Sequence, residues 1–120
     1  MARILFIDDD WIALNIYKRA SQILGHEAVM VASGKSAVET AAGYDPDLIM
    51  LDMVLPDMDG VSILKALRQQ DGLQTIPILI LTSGVSLQDA DIVKAAGANG
   101  YISKPISLDL LQETITRYTS

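Results

Sequence analysis

Three short runs of the sequence are apolar without interruption, and they constrain the fold more than any other feature. They occupy residues 4–7 (ILFI), 48–51 (LIML) and 78–81 (ILIL). None alternates polar with apolar residues, so each is expected to be buried on both faces, as the central strands of a parallel sheet are. Two weaker runs, at residues 28–32 and 100–102, suit the edges of that sheet.

Amphipathic stretches separate the runs and predict helices. In the first, Tyr17 and Leu24 recur at helical spacing on one face, and in the last, Leu108, Leu111 and Ile115 are expected to face inward. Strand and helix alternate, which predicts an α/β fold: a three-layer, doubly wound (βα)5 sandwich around a parallel five-stranded sheet. The residues predicted to cap helices are Asp10, Asp59, Ser86 and Ser107.

The composition excludes several kinds of protein. A chain of 120 residues predicts a single domain over residues 1–120. No cysteine is present, so disulfide scaffolds and thiolate zinc sites are excluded, and His26 is the only histidine. The net charge of −6 argues against direct binding to nucleic acid. No apolar run approaches the roughly 20 residues of a membrane helix, and no signal peptide is visible, so we expect no membrane contact and a cytoplasmic location.

Polar side chains follow four of the five predicted strands. Asp8 and Asp9 follow the first strand, Asp52 the third, Thr82 the fourth and Lys104 the fifth. Ligands of such sheets bind outside the carboxyl ends of the strands, near the switch in strand order. We therefore expect these residues to share one pocket.

A pocket with three carboxylates must relieve their mutual repulsion by protonation, by separation or by a cation. Two unit charges about 4 Å apart repel by roughly 4 kcal/mol at an effective dielectric constant of about 20. Oxygen ligands without nitrogen or sulfur favour Mg²⁺ or Ca²⁺, and a site with few protein ligands suits Mg²⁺. Asp8 and Asp9 are therefore predicted metal ligands.

The same set of groups suits phosphoryl transfer. A carboxylate such as Asp52 can act as a nucleophile and form an aspartyl phosphate. The reaction needs in-line placement and neutralisation of the phosphoryl oxygens, which a divalent ion, the Lys104 ammonium and the Thr82 hydroxyl can supply. Taken singly, each residue also has a plain structural interpretation, as a loop aspartate, a turn hydroxyl or a surface lysine. The agreement of four strand ends favours the shared site.

The sequence strongly resembles the receiver domain of two-component response regulators, in the superfamily of the chemotaxis regulators. The resemblance covers nearly the whole chain and rests on four motifs in order. It implies a flavodoxin-like sheet with strand order 2-1-3-4-5. The motifs are ILFIDDD (residues 4–10), LIMLDMVLPDMDG (48–60), PILILTS (77–83) and GYISKP (100–105).

The resemblance also implies a role for each site residue. Asp52 matches the phosphoacceptor, and Asp8, Asp9 and Asp52 match the acidic ligands of Mg²⁺, with the backbone carbonyl of Val54 as a further ligand. Three more positions match the catalytic and switching groups of the family. These are Thr82, the hydroxyl that moves toward the phosphoryl group; Lys104, whose bond to Pro105 is cis in the family; and Tyr101, the switch aromatic.

By this resemblance the chain is a phosphorylation-activated switch and not a classical enzyme, although it catalyses its own phosphorylation and dephosphorylation. A histidine kinase or a histidine phosphotransfer protein would donate the phosphoryl group from phosphohistidine. The face formed by helix 4, strand 5 and helix 5 would then change and engage a downstream effector domain or protein, or form a dimer.

Three other functions fit parts of the sequence. A phosphoaspartate hydrolase of the haloacid dehalogenase type needs Asp-x-Asp after the first strand, and Asp8 and Asp10 have that spacing. A flavodoxin-like flavin binder needs a hydroxyl- and glycine-rich loop there, where three aspartates would repel a phosphate. A receiver-like module that is not phosphorylated would act by interaction alone, which the complete set of site residues disfavours.

Overall fold

The structure, a computed structural model, describes residues 1–53, 55, 57–83 and 87–119, with the backbone alone for residues 87–89. Val54, an expected metal ligand, and Ser86, an expected cap, lie outside the described residues. None of the described helices combines the length and the apolar character that crossing a membrane requires.

Five parallel strands form one sheet in the order β2-β1-β3-β4-β5. This confirms the predicted fold class, and it confirms that the two weaker apolar runs lie at the edges. The order places the three uninterrupted runs in the centre of the sheet. The strands are β1 (Arg3–Ile7), β2 (Glu27–Val31), β3 (Leu48–Asp52), β4 (Ile78–Thr82) and β5 (Gly100–Ser103).

Helices follow each strand and cover both faces of the sheet. The helices in the described part of the chain are α1 (Trp11–Ile23), α2 (Gly34–Tyr44), α3 (Gly60–Arg68), α4 (Leu87–Ala95) and α5 (Leu108–Thr119). Helix α1 begins where the Asp10 carboxylate accepts hydrogen bonds from the backbone N–H groups of Ile12 and Ala13. Helix α3 begins in the same way at Asp59, whose carboxylate accepts from the Ser62 N–H. Both predicted caps are confirmed.

Successive strand residues point to opposite faces, so the sheet has two apolar cores. Helices α2, α3 and α4 cover one core, and α1 and α5 cover the other. Because both faces are covered, residues 4–7, 48–51 and 78–81 of the central strands are apolar without interruption, which explains the absence of alternation in these runs. The largest fully buried side chains are Leu5, Ile7, Ile49, Leu51, Ile63, Leu64 and Leu67 on the first face, and Ile4, Phe6, Leu14, Leu48 and Met50 on the second.

The prediction for the inner face of α5 is wrong at one position. Leu111 and Ile115 are buried as expected, but Leu108 is 45% exposed. Leu108 is the first residue of the helix, directly after the predicted cap Ser107, whose hydroxyl oxygen accepts a hydrogen bond from the Leu110 N–H. Thr114, which the apolar pattern omits, is buried instead. The helix therefore presents a slightly different face to the sheet than its leucines alone indicate.

The two leucines give a matched test of this packing. We expect Leu111→Ala to lower the free energy of unfolding by about 2–5 kcal/mol, because it leaves a cavity beneath α5. Leu108→Ala should lower it by less than about 1 kcal/mol, because that side chain is already partly in water. Urea denaturation measures both values. Equal losses for the two variants would contradict the observed orientation of α5.

Candidate functional site

The carboxyl ends of four strands place the predicted site residues at one edge of the sheet. Asp52 is the last residue of β3 and Thr82 is the last residue of β4. Asp8 directly follows β1 and Lys104 directly follows β5. The backbone of each is hydrogen bonded to the neighbouring strand of the sheet. The Asp8 N–H donates to the Val31 carbonyl at 3.0 Å, and the Lys104 N–H donates to the Thr82 carbonyl at 2.7 Å. The parallel register therefore brings residues from distant parts of the chain together.

These residues surround a small polar cleft. Its volume is about 260 Å³, and Asp52 and Thr82 are largely buried in it while Asp9 remains exposed. The cleft is large enough for an ion with its waters and a phosphoryl group, and it is too small for a nucleotide or a flavin. Its lining residues are Asp9, Asp52, Met53, Thr82, Ser83 and Lys104.

Three carboxylates form a cluster at the cleft. Asp8, Asp9 and Asp52 each offer one oxygen, and these oxygens lie within 4.8 Å of one another. The donor set consists of hard oxygens alone, which suits a magnesium or calcium ion. The three residues therefore fit a divalent cation, with room in the cleft for further oxygen ligands.

Lys104 provides the positive charge that the cluster requires. Its Nζ donates to Asp8 Oδ2 at 2.7 Å and lies 3.6 Å from Asp52 Oδ1. Asp8 is fully buried, and its other oxygen accepts a hydrogen bond from the Asp10 N–H at 3.0 Å. The contact was not predicted from the sequence, which assigned Asp8 to the metal and Lys104 to the phosphoryl group. In this structure the lysine holds the acidic residue directly.

The pKa of Lys104 reflects this environment. Burial by itself lowers the pKa of the ammonium group, but the hydrogen bond to Asp8 and the negative charges of Asp8 and Asp52 together outweigh burial. The net pKa lies above the usual value for lysine. Lys104 therefore stays charged at neutral pH and can neutralise anionic oxygens in the cleft.

Tyr17 lies close to the site, although the sequence indicated only a core position for it. It is buried on α1, and its ring stacks on Phe6 with the ring centroids 5.1 Å apart. Burial raises the pKa of its phenol; the charge of Lys104 lowers it, and the charge of Asp8 raises it. The helical spacing of Tyr17 in the sequence was a signal for burial, but no sequence pattern indicated that its phenol would interact with the charges of the cleft.

The expected switch residues lie at different depths. Thr82 lines the cleft and is buried. Tyr101 is 40% exposed on the edge strand β5, where it borders a second cleft of about 220 Å³ between β5 and α5. The Lys104–Pro105 peptide bond is cis.

Asp10 and Asp57 follow β1 and β3 in the sequence, and their carboxylates accept hydrogen bonds from backbone N–H groups. Asp10 caps α1, as described above. The Asp57 carboxylate accepts from the N–H groups of Gly34 and Lys35 at 2.9 and 3.0 Å, so it caps α2 from a distant part of the chain. These hydrogen bonds hold the pKa of Asp57 below its usual value. The sequence indicated a structural role for Asp57 but not its partner.

Comparisons with known proteins agree with this geometry. The family model of the response regulator receiver domain matches residues 4–116. The polar-differentiation response regulator DivK of Brucella ovis is 30% identical over 115 residues, which cover 96% of this chain and 94% of DivK. The structure of the chemotaxis protein CheY4 of Vibrio cholerae superposes with a TM-score of 0.94 at 32% identity and covers 98% of both chains.

A third similar protein has been solved with a metal ion. It is the receiver domain of the sensor histidine kinase PA1611 of Pseudomonas aeruginosa PAO1, with a magnesium ion coordinated in its active site cleft. Its TM-score is 0.90 at 30% identity, and the match covers 98% of this chain and 97% of that one. Together with the fold and the strand-end cluster, these matches show that the chain belongs to the response regulator receiver domain family of two-component signalling.

Proposed function

We propose that the protein is a phosphorylation-controlled switch that accepts a phosphoryl group on Asp52 in the presence of Mg²⁺. The main support is the position of the Lys104 ammonium, between Asp8 and Asp52 in a cleft that also holds Asp9. In this proposal Asp52 is the nucleophile, the three carboxylates are the oxygen donors and Lys104 is the cation around one cleft of about 260 Å³.

The metal would be held by the three carboxylates. Asp8, Asp9 and Asp52 are the ligands in this proposal, with the carbonyl of Val54 added from the family resemblance. The bound ion would neutralise charge on the phosphoryl oxygens. The magnesium ion in the cleft of the PA1611 receiver domain supports this choice of metal.

The covalent step uses residues of the cleft. A carboxylate oxygen of Asp52 forms a bond to phosphorus while the phosphorus–nitrogen bond of a donor phosphohistidine breaks, and the electron pair of that bond stays on the imidazole. Lys104 pairs with the transferred oxygens, and the Thr82 hydroxyl donates a hydrogen bond to them. Asp8 shares Lys104 before the transfer and loses part of that contact when the phosphoryl group competes for the ammonium.

The added phosphoryl group is the signal. It brings close to two negative charges and strong hydrogen-bond acceptors into the cleft. Thr82 would move toward it, and Tyr101 would turn inward from its exposed position on β5. The face formed by α4, β5 and α5 would then differ between the two states and engage an effector or a second copy of the chain.

The donor must cover the cleft, and α1 offers a surface for it. Helix α1 begins directly after the acidic residues and exposes Trp11, Ile12, Ile16 and Ile23, which are between 58% and 74% exposed. An apolar stripe of this kind beside a reactive cleft suits a protein partner. A histidine kinase or a histidine phosphotransfer protein that packs a helical surface on this α1 stripe would bring its phosphohistidine to Asp52.

The alternative of a phosphoaspartate hydrolase is less consistent with the site. That reaction needs Asp8 as the nucleophile and Asp10 as the acid two residues later. Asp8 is fully buried, and its two oxygens bond to Lys104 and to a backbone N–H. Asp10 caps α1 with its carboxylate. Neither residue is arranged for that chemistry.

Replacement of the phosphoacceptor tests the proposal directly. We expect the wild-type protein, incubated with Mg²⁺ and a small phosphodonor, to gain the mass of one phosphoryl group, because Asp52 is the nucleophile. Asp52→Asn should gain none in intact-mass spectrometry. Asp57→Asn is the matched control, since this carboxylate lies five positions later in the sequence but caps α2. Equal phosphorylation of Asp52→Asn and the wild type would contradict the assignment.

The lysine should affect the transfer and the metal in opposite directions. We expect Lys104→Met to slow phosphorylation by about 10²–10³-fold, because a preorganised charge on the phosphoryl oxygens is lost. The same variant should bind Mg²⁺ at least as tightly as the wild type, since no ammonium competes for Asp8. Calorimetric titration with Mg²⁺ measures the second effect. A loss of Mg²⁺ affinity with an unchanged phosphorylation rate would contradict the role given to Lys104.

The α1 stripe makes a separate prediction about the donor protein. We expect Ile16→Asp to reduce kcat/KM for transfer from a phosphorylated histidine phosphotransfer protein by about tenfold or more, because a charge would be buried in the contact. Transfer from a small phosphodonor should be unchanged. Ile92→Asp is the control, because Ile92 is 45% exposed on α4, away from α1. Equal effects of the two variants on the protein donor would remove the support for the α1 stripe.

A further inference from the structure

A single arginine joins three segments of the chain near the amino ends of β4 and β5, at the opposite end of the strands from the cleft. Arg68 is the last residue of α3, and its guanidinium contacts the turn that follows α4. Its Nε and Nη2 donate to the Gly97 carbonyl at 3.0 and 2.7 Å. Its Nη1 donates to the carbonyls of Leu73 and Ile76 at 2.8 and 2.6 Å. The group therefore ties the segment after α4 to the loop between α3 and β4.

Asn99 extends this network to the sheet. Its side-chain oxygen accepts from Arg68 Nη2 at 2.8 Å and from the N–H of Ile78, the first residue of β4, at 2.9 Å. The Asn99 N–H donates to the Ile78 carbonyl at 2.8 Å. The turn after α4 is thus bonded both to the arginine and to a central strand.

The backbone at Gly97 fits closely against the arginine. Gly97 has a φ of +116°, which favours glycine, and a Cβ at this position would lie 2.9 Å from Arg68 Cγ. The N–H groups of Gly97 and Ala98 also complete the end of the helix, since they donate to the Lys94 and Val93 carbonyls, respectively. The C-terminal end of α4 is therefore packed as well as hydrogen bonded.

We propose that Arg68 is a positioning residue that fixes the C-terminal end of α4, so that the phosphorylation-dependent change of the switch is confined to the part of α4 nearer Thr82. This inference rests on the proposed function. Helix α4 has one end on the cleft side of the sheet and the other on the side of Arg68. If one end of a helix is fixed, a displacement of its other end tilts the helix, because the fixed end cannot translate.

The planar fork of the guanidinium is essential to this role. It directs several N–H groups at once to carbonyls of the α3–β4 loop and of the turn after α4, whereas a lysine ammonium is a point charge on a flexible stem. Arg68→Lys keeps the charge and part of the apolar stem but cannot form all of these hydrogen bonds. Lys65→Met is the matched control, because it removes a cation from the last turn of the same helix at an exposed position.

Hydrogen exchange of the backbone amides tests the proposal in both phosphorylation states. In the wild type, phosphorylation with a small phosphodonor and Mg²⁺ should change exchange in the first turns of α4 and leave residues 96–99 unchanged. In Arg68→Lys, residues 96–99 should exchange about tenfold faster before phosphorylation, as expected for the loss of about one hydrogen bond's net stabilisation. Phosphorylation should then also change the exchange of residues 96–99. Lys65→Met should behave as the wild type does.

Two results would overturn the proposal. One is a change at residues 96–99 on phosphorylation of the wild type that equals the change in the first turns of α4. The other is unaltered exchange of residues 96–99 in Arg68→Lys. Intact mass, measured on the same samples, separates these results from a failure of the proposed function. If no phosphoryl group is found on Asp52, the switch itself fails, and the unphosphorylated samples still decide whether Arg68 holds the end of α4.

Discussion

The ion pair between Lys104 and Asp8 is the interaction on which the site depends. Asp8 is fully buried next to two further carboxylates, and a buried carboxylate without a partner is costly. The Lys104 ammonium, 2.7 Å from Asp8 Oδ2, offsets that cost. The same hydrogen bond links the carboxyl end of β5 to the carboxyl end of β1. The same contact leaves a cation 3.6 Å from Asp52, so the group that stabilises the site as it stands is also the cation that the proposed phosphoryl group would meet.

The carboxyl and amino ends of the strands differ in the interactions that they carry. At the carboxyl ends of the strands, polar side chains from four strands meet around a cleft. The main unfavourable interaction there is electrostatic repulsion among the carboxylates. At the amino ends, Arg68 and Asn99 use neutral carbonyls and one side-chain oxygen to join loops to the sheet. The carboxyl ends therefore hold charges whose balance a ligand can change, whereas the hydrogen bonds described for Arg68 and Asn99 are all to groups of the chain itself. This division suits a switch in which one end of a helix responds and the other is held.

The sequence predicted the fold in detail because the relevant signals are local or periodic. Uninterrupted apolar runs marked the central strands, weaker runs marked the edges, and aspartates marked the starts of α1 and α3. Leu108 was assigned to the wrong face because an apolar residue in the first turn of a helix has no periodic neighbour before it to fix its direction. Hydrophobic periodicity is weakest at the ends of an element.

The sequence predicted which residues form the site, but it did not predict which of these residues bind one another. The rule that strand ends converge requires only the order of elements, so the residue types at those ends, with the family resemblance, named Asp52, Thr82 and Lys104 in advance. That Lys104 bonds to Asp8, that Tyr17 lies within reach of the same charges and that Asp57 caps α2 are facts about distances between residues far apart in the chain. The sequence by itself determined which groups reach the cleft; only the tertiary structure decided which of them bind one another, because pairing depends on the register and tilt of strands and helices that no local pattern encodes.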